Sequence, residues 1–473
     1  MVFSSTVFLF VFLPLTLAVY YIVPLKARNA VLFALSLVFY GWGEPIYVGV
    51  MLLSVTAAYL CGFPIARHRE SDPKKAKVWL WVSIGVELAL LLFFKYTNFF
   101  IETLRLIPPL ADVLSPIPGL ELPIGISFYT FQIMSYSIDL WRGETAVQRS
   151  YIAFSTYVSL FPQLIAGPIV RYRDVNDQLT ARVHSADKFA SGVRRFITGF
   201  AKKLLLGDTL AAVYAYFSAS ADFERTVLSG WIMLITYTLH IYFDFSGYSD
   251  MAIGLGRMLG FEFPENFNYP YMAGSVTEFW RRWHISLSSW FREYVYIPLG
   301  GNRRGKGRQY LNLAVVWLLT GLWHGASWNF VLWGVFYLVI LVIEKAGLLR
   351  LLEKNAVTRA FGHVWALLLV GIGWMIFDHT DLSAARAVIG SLFGAGTVGL
   401  SSASAGWTAL HSLPLIVLSA LAATPFPARL WARLTDRHPA AAIAEPVWLG
   451  LLLVLSVACM VSGAFSPFLY FIF

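Results

Sequence analysis

The sequence predicts an all-α, polytopic membrane protein, and three observations predict it. Charged residues are only 13% of the 473, against roughly 25% in a soluble domain, while hydrophobic residues reach 58%, so there is too little polar surface to cover a globule in water. Four stretches, 1–25, 45–66, 309–343 and 446–473, contain no Asp, Glu, Lys or Arg, and each is long enough for a bilayer core, which takes about 20 apolar residues. Basic residues gather in short clusters between these runs, the pattern of loops held at the cytoplasmic face. The net charge of +9 therefore reads as orienting loop charge and contact with membrane lipid, and no nucleic-acid partner is expected. Cys61 and Cys459 both lie in apolar runs far apart in sequence, so no disulfide framework is implied.

Taken in order, the first run lacks a basic leader and is followed at once by a second apolar run from Asn29, so it reads as a retained first span. The loop 67–77 carries Arg67, Arg69, Lys74, Lys75 and Lys77 and belongs inside. Counting back, the run ending at Ala66 enters from outside near Glu44, the run from Asn29 enters from inside near Lys26 and Arg28, and Met1 is outside. Residues 171–203 carry eight basic and three acidic residues, and 281–308 seven and one, so both are cytoplasmic. Arg429, Arg433 and Arg437 mark a further cytoplasmic loop, so the last run leads outward and Phe473 is also extracytoplasmic. Segments 122–141, 188–206 and 277–298 are too polar or too short for simple spans, and such backbone is tolerated at membrane depth only when buried in protein or lining a cavity. With no internal repeat, linker or soluble appendage, residues 1–473 read as one domain, a bundle with amphipathic and re-entrant helices.

The segment 309–343 is uncharged for 35 residues and has basic residues at both ends, so it should enter the membrane and return. Its middle reads Gly321-Leu322-Trp323-His324-Gly325-Ala326-Ser327. The 16 residues from Arg308 to His324 rise roughly 24 Å as a helix, short of an approximately 30 Å core. His324 is thus expected near the apex of a hairpin, where an ionisable residue is a functional candidate; the plainer alternative is a buried histidine bonded to a carbonyl as a helix-turn lock. Residues 277–297 on a helical wheel put Trp280, His284, Leu287 and Phe291 on one face and Glu278, Arg281, Arg282, Arg292 and Glu293 on the other. That predicts one amphipathic interfacial helix with His284 turned toward the protein and its charges toward water or headgroups. One inward histidine suggests a satisfied core residue; two on flanking segments suggest a shared site. Asp244 and Asp250, beside Ser246, Tyr248 and Ser249, either line a polar cavity or orient a histidine, or else cap the next helix and tie loops together. Gly256 and Gly260 are spaced to let helices approach closely. No spacing resembles a metal site, and no glycine loop cradles a phosphate.

Six stretches carry a resemblance: MVFSSTVFLFVFLPL at the start, LPIGISFYTFQIMSYSIDLWRG from Leu122, LFPQLIAGPIVRY from Leu160, YFDFSGYSDMAIGLG from Tyr242, ENFNYPYMAGSVTEFWRRWHISLSSWFREYVYIPLGGNR from Glu265 and LTGLWHGASWNFVLWG from Leu319. In them the chain resembles the membrane-bound O-acyltransferase family, in the alginate O-acetylation branch that also contains peptidoglycan and cellulose O-acetylation proteins. Only residues 350–445 hold no matching motif. The resemblance implies a curved helical bundle around a central catalytic funnel. In it His324 matches the essential intramembrane histidine and His284 a second, assisting residue, with Asp244, Ser246, Tyr248, Asp250, Trp280, Trp323 and Asn329 as candidates for the funnel wall.

It also implies a cytoplasmic acyl thioester donor, acetyl-CoA or similar, used as substrate with no bound cofactor, and an acceptor arriving from outside. Imidazole suits the reaction either as the base that takes the hydroxyl proton or as a group that is itself transiently acylated. The C-terminal FLYFIF resembles a motif of small D-alanylation proteins, which makes Tyr470 an acyl-carrier candidate; the alternative is an interfacial aromatic anchor. The function implied is O-acetylation of an exported polysaccharide, alginate-like, cellulose or peptidoglycan, from a bacterial inner membrane, through a serine-esterase-like extracytoplasmic partner. D-alanyl transfer to teichoic acids is the alternative within the family. A transporter or flippase is the alternative from another class, and it should show repeat symmetry, which is not found.

Overall fold

In a bilayer every backbone N–H and C=O must find its partner within the chain, and helices satisfy this locally. Accordingly, the computed structural model, which describes residues 1–114, 119–218, 225–437 and 439–463, is helical with no strand among the described residues. Five of its helices are long and apolar enough to cross a membrane: Tyr47–His68, Pro73–Arg105, Ala356–Asp378, Ala403–Ala422 and Ile443–Val461. Backbone contacts divide the chain into two compact units that alternate along the sequence. Unit 1 comprises Met1–Phe196, Met251–Pro264 and Ser289–Val295; unit 2 comprises Ile197–Asp250, Glu265–Ser288 and Tyr296–Phe473.

Unit 1 begins with α1 (Leu13–Ile22), α2 (Arg28–Gly41), α3 (Tyr47–His68) and α4 (Pro73–Leu91). Asp72 caps α4 by accepting from the Lys75 amide at 3.1 Å, with Pro73 in the first turn where its missing N–H costs nothing. Ser54 donates to Glu87 at 2.7 Å between α3 and α4. Ser83 and Ser137 share a 2.8 Å bond between α4 and α5 (Ile126–Arg142), polar contacts of the kind that hold helices together in lipid. After α5 comes α6 (Tyr172–Thr180), then α7 (Ala186–Ala201), which runs on into unit 2, and α8 (Val227–Met258), which starts in unit 2 and ends in unit 1. The close helix approach expected at Gly256 and Gly260 occurs instead where α7 meets α8. A Cβ on Gly192 would lie 2.7 Å from the Gly254 carbonyl, and one on Gly254 2.6 Å from the Gly192 carbonyl. Gly256 makes room for the Phe263 ring, and Gly260 turns the chain after α8 with φ +87.

Segment 277–297 departs most from expectation. It is not one helix: α9 (Val276–Arg282) stops, His284 takes a left-handed φ of +45, and α10 (Ile285–Phe291) starts anew. Nor does Glu293 face water or headgroups as expected; in unit 1 it pairs with Arg171 at 2.7 Å and with Arg173, while Tyr294 donates to the buried Asp139 at 2.8 Å.

In unit 2 the uncharged run folds as the expected helical hairpin, α11 (Lys306–His324) and α12 (Trp328–Ile343). Its seam is closed by two glycines: a Cβ on Gly321 would meet the Phe330 carbonyl at 2.4 Å, and one on Gly334 the Trp317 carbonyl at 2.6 Å. The stretch without a motif supplies α13 (Ala356–Asp378) and α14 (Ala403–Ala422). Glu344, just past α12 and 0% exposed, accepts from the Val276 amide (2.8 Å), the Thr277 amide (2.7 Å) and hydroxyl (2.6 Å), and the Trp365 indole (3.2 Å). Those donors make its burial tolerable and place a carboxylate at the positive end of α9.

Candidate active site

His324 is the last residue of α11, and its Nδ1 lies 2.8 Å from the Thr320 carbonyl. A carbonyl only accepts, so Nδ1 carries the proton and the lone pair of the neutral ring is on Nε2. The plain lock and the chemical role are therefore compatible, because the lock sets the tautomer a base requires. The ring is buried among Trp323 (4.9 Å between centroids), Trp333 (4.9 Å) and Phe377 (5.4 Å).

His284 occupies the break between α9 and α10 and is organised by Asn266. The Asn266 Oδ1 accepts from the Ser286 amide (3.2 Å), the Ser286 hydroxyl (2.9 Å) and His284 Nδ1 (3.1 Å), while its backbone carbonyl accepts from the Ile285 amide (3.0 Å). Because a backbone amide can only donate, the atom it meets is oxygen, and His284 too is protonated on Nδ1. A left-handed backbone is costly for a residue with a Cβ, and this network holds it there. His284 and Tyr269 are the two such residues among those described. The Trp323 indole touches both histidines, at 4.9 Å from His324 and 5.9 Å from His284, so the two expected catalytic residues and one expected funnel residue come together.

The other candidates separate into two groups. Trp280 joins the same aromatic cluster, at 4.9 Å from Trp317 and Tyr337 and 5.5 Å from Trp333. Asn329 is a brace: its Nδ2 donates to the Phe377 carbonyl at 2.8 Å and so ties the start of α12 to the end of α13. Residues 242–250 lie inside α8, so they cannot cap a following helix as one reading had it. Asp244 meets Lys203 at 3.2 Å, Lys203 also meets Asp208 at 2.7 Å, and Asp250 meets Lys202 at 2.7 Å, both lysines coming from a π-helical turn at Lys202–Gly207. Ser246 and Tyr248 are buried in the same helix, where it is Phe245 that reaches a histidine, edge-on to His284 at 4.8 Å. Tyr470 lies outside the described residues.

Sequence reading missed Thr320, Asn266, Phe245, Trp333, Tyr337 and Phe377. Thr320 was legible, one turn before His324. Nothing local links Asn266 to a histidine 18 positions later. The buried indole N–H groups of Trp280 and Trp333 and the hydroxyl of Tyr337 have no partner among the described residues. Of these, the Trp333 ring lies against His324, with Trp280 and Tyr337 packed on Trp333, and an orphan donor so placed suits a substrate carbonyl. On the outer side of α9, burial pushes the Glu278 carboxyl up, but the Gly274 amide (2.8 Å) and Arg282 (2.7 Å) outweigh it and hold it below the usual range.

Comparison with known proteins bears directly on this histidine pair. Residues 142–368, which contain both, match the model described as MBOAT, membrane-bound O-acyltransferase family. The "Probable alginate O-acetylase AlgI" of Azotobacter vinelandii is 41% identical over 505 aligned positions, covering 100% of both chains. The chain belongs to the membrane-bound O-acyltransferase family. The "Probable alginate O-acetylase AlgI" of Pseudomonas aeruginosa is 44% identical over 85% of this chain and 76% of its own. The "Peptidoglycan O-acetyltransferase" of Helicobacter pylori is 31% identical over 85% and 81%. As a membrane-bound O-acyltransferase, the chain is a multi-pass membrane enzyme, and the family match takes in α6 to α12 whole and the first half of α13.

Proposed function

We propose that this enzyme passes acetyl groups from a cytoplasmic thioester, acetyl-CoA or a similar donor, to an extracytoplasmic polysaccharide of the alginate type, with His324 as the central base. The observation that carries the reading is the Thr320 carbonyl on His324 Nδ1, which commits Nε2 to accepting a proton inside an aromatic box. In the step proposed, Nε2 takes the hydroxyl proton as the acceptor oxygen bonds to the thioester carbon. The carbon–sulfur bond then breaks, and the imidazolium returns the proton to the departing thiolate. His284 assists from the other side of Trp323, and the indole donors of Trp280 and Trp333 meet the acyl carbonyl. The residues 1–473 act as one catalytic domain of a curved bundle around a funnel, in a bacterial inner membrane with Met1 and Phe473 outside, a reading supported by loop charge. Alginate as acceptor is supported by the near-full-length similarity to alginate O-acetylases. Tyr470 accepts the acyl group and hands its phenyl ester to a serine-esterase-like partner, a role supported by the FLYFIF ending.

The test is acetyl transfer from radiolabelled donor by purified protein. His324→Ala should lose about 10²- to 10⁴-fold in rate with an unchanged elution profile, and near-normal transfer by that variant would sink the proposal. Tyr470→Phe, which keeps the ring and deletes the nucleophile, should abolish acetylation of polymer while leaving expression intact.

A further inference from the structure

Unit 1 holds a cationic pocket that no step above uses. Tyr20 and Tyr21 close α1, donating to the carbonyls of Leu259 (2.7 Å) and Met258 (2.6 Å). Arg28, the first residue of α2, lies over both rings, at 4.8 and 5.3 Å. Arg182 lies over Tyr20 at 5.8 Å and Phe261 at 4.5 Å. These two arginines flank His184, whose Nε2 is 3.1 Å from Arg28 and 2.8 Å from the Tyr20 hydroxyl. Beside His184 opens a cavity of about 420 Å³ lined by Tyr21, His184, Ser185, Ala186 and Phe189, the last two on the first turn of α7; Arg28 reaches it through its contact with the His184 ring.

The charges around this cavity do not balance. Lys188 pairs with Glu262 at 3.2 Å, and Glu262 is shared with Arg257 at 3.4 Å. Among the described residues no carboxylate lies within ion-pair distance of Arg28 or Arg182, and the Arg28 Nε is buried without a partner. Asp187, on the first turn of α7, pairs with none of them. Two guanidiniums near the same aromatic ring repel each other, and an anion bound beside them would offset that repulsion. The amide end of α7 favours the same sign of charge. Close by in sequence, Ile22 (82%), Leu25 (67%) and Val183 (72%) are strongly exposed apolar residues, which suits a lipid neighbour.

We propose that this pocket binds a phosphate group, which meets His184 and the start of α7 and is attracted by the positive charge of Arg28 and Arg182 beside His184. The chemistry is shared by the headgroup of an anionic phospholipid and by a soluble phosphorylated ligand, and the exposed apolar residues nearby in sequence favour the lipid. Burial, Arg28 and Arg182 hold the His184 imidazole below its usual range; a bound phosphate reverses that field, so binding raises the His184 titration point and tightens as pH falls. The groups facing His184 are Tyr20 and Tyr21 from α1, Arg28 from α2, Arg182 from its own loop and Lys188 from α7, with Glu262 and Arg257 beyond Lys188.

The full chain in lipid-free micelles is titrated separately with phosphatidylglycerol, phosphatidylcholine and adenosine 3′,5′-bisphosphate, read by native mass spectrometry and by histidine ¹⁵N shifts. Phosphatidylglycerol is expected to bind with a rise in the His184 titration point, and Arg28→Gln with Arg182→Gln should weaken it roughly tenfold or more. Arg28→Lys keeps the charge and should retain most of the affinity. Binding of the bisphosphate alone would assign the pocket to a soluble ligand, and binding of both to the phosphate itself. Failure of all three to bind, or equal affinity in the double glutamine variant, would overturn the proposal. If the double variant does not fold, Ser185→Trp fills the cavity while keeping both arginines and is read the same way. Each readout is binding, so its failure leaves acyl transfer by His324 untouched.

Discussion

Three donors converge on the Asn266 side-chain oxygen, and the left-handed turn at His284 exists because they do. Asn266→Ala strands those donors in a buried place, at a cost of about 1–3 kcal/mol, and frees the imidazole to flip its tautomer. The expected outcome is a lower melting temperature together with a fall in kcat, measured on the same preparation. Trp333→Phe tests a different idea, since it keeps a ring against His324 and removes only the indole N–H. If that donor meets the acyl carbonyl, kcat falls on the order of tenfold or more at unchanged thermal stability; an unchanged kcat would return Trp333 to a packing role. His324 was legible at this scale because an isolated ionisable residue inside an uncharged run is conspicuous. Trp333 was not, because a tryptophan in an apolar helix looks the same whether or not its N–H is satisfied.

The hairpin α11–α12 depends on small residues where its two helices touch. Gly321→Ala drives a methyl into the Phe330 carbonyl, and the strand of backbone that must move carries His324 three residues on. It should cost stability by about 1–3 kcal/mol and disturb activity more than a surface substitution does. Glu344 fastens α9 from beyond the far end of α12, and Glu344→Ala should cost about 1–3 kcal/mol for each buried amide it leaves without an acceptor. Thermal unfolding in detergent checks both. Glu278 adds a pH dependence: its carboxyl titrates below its ordinary 4.5, so its contribution to α9 is complete above that value and is lost as pH falls through its lower folded titration point. Glu278→Gln should flatten that part of the acid limb of a stability profile. The break between α9 and α10 was invisible to helical periodicity, because 277–297 keeps its two faces across it. What ends α9 is an asparagine upstream, and a periodicity count gives no weight to a partner outside the window.

For the whole molecule, loop charge assigns sides to the membrane, and accessibility of introduced cysteines in a cysteine-free background checks the assignment. Ser4 is 4% exposed and unsuitable, whereas Thr6 is exposed and should label from outside. Cysteines at Arg69 and Arg304 should label only after the membrane is opened. Labelling of Arg304→Cys in intact cells would reverse the face to which the acyl donor is assigned.

Composition, uncharged runs and clustered lysines and arginines determined without help that this chain lives in a membrane as helices, and that residues 309–343 turn back at His324. Those features are local sums over a window, and the bilayer selects them by solvation alone. Tertiary structure decided which polar groups are spent on holding the protein together. Asp244 and Asp250 read in the sequence either as lining a polar cavity or as structural ties, and it is the fold that pairs them with Lys203 and Lys202 from another helix. Arg28 and Arg182, which read as ordinary loop charge, come together beside His184 with no carboxylate within ion-pair distance among the described residues. A charge in a low-dielectric setting is governed by its nearest partner, and in this chain those partners come from residues far away in sequence.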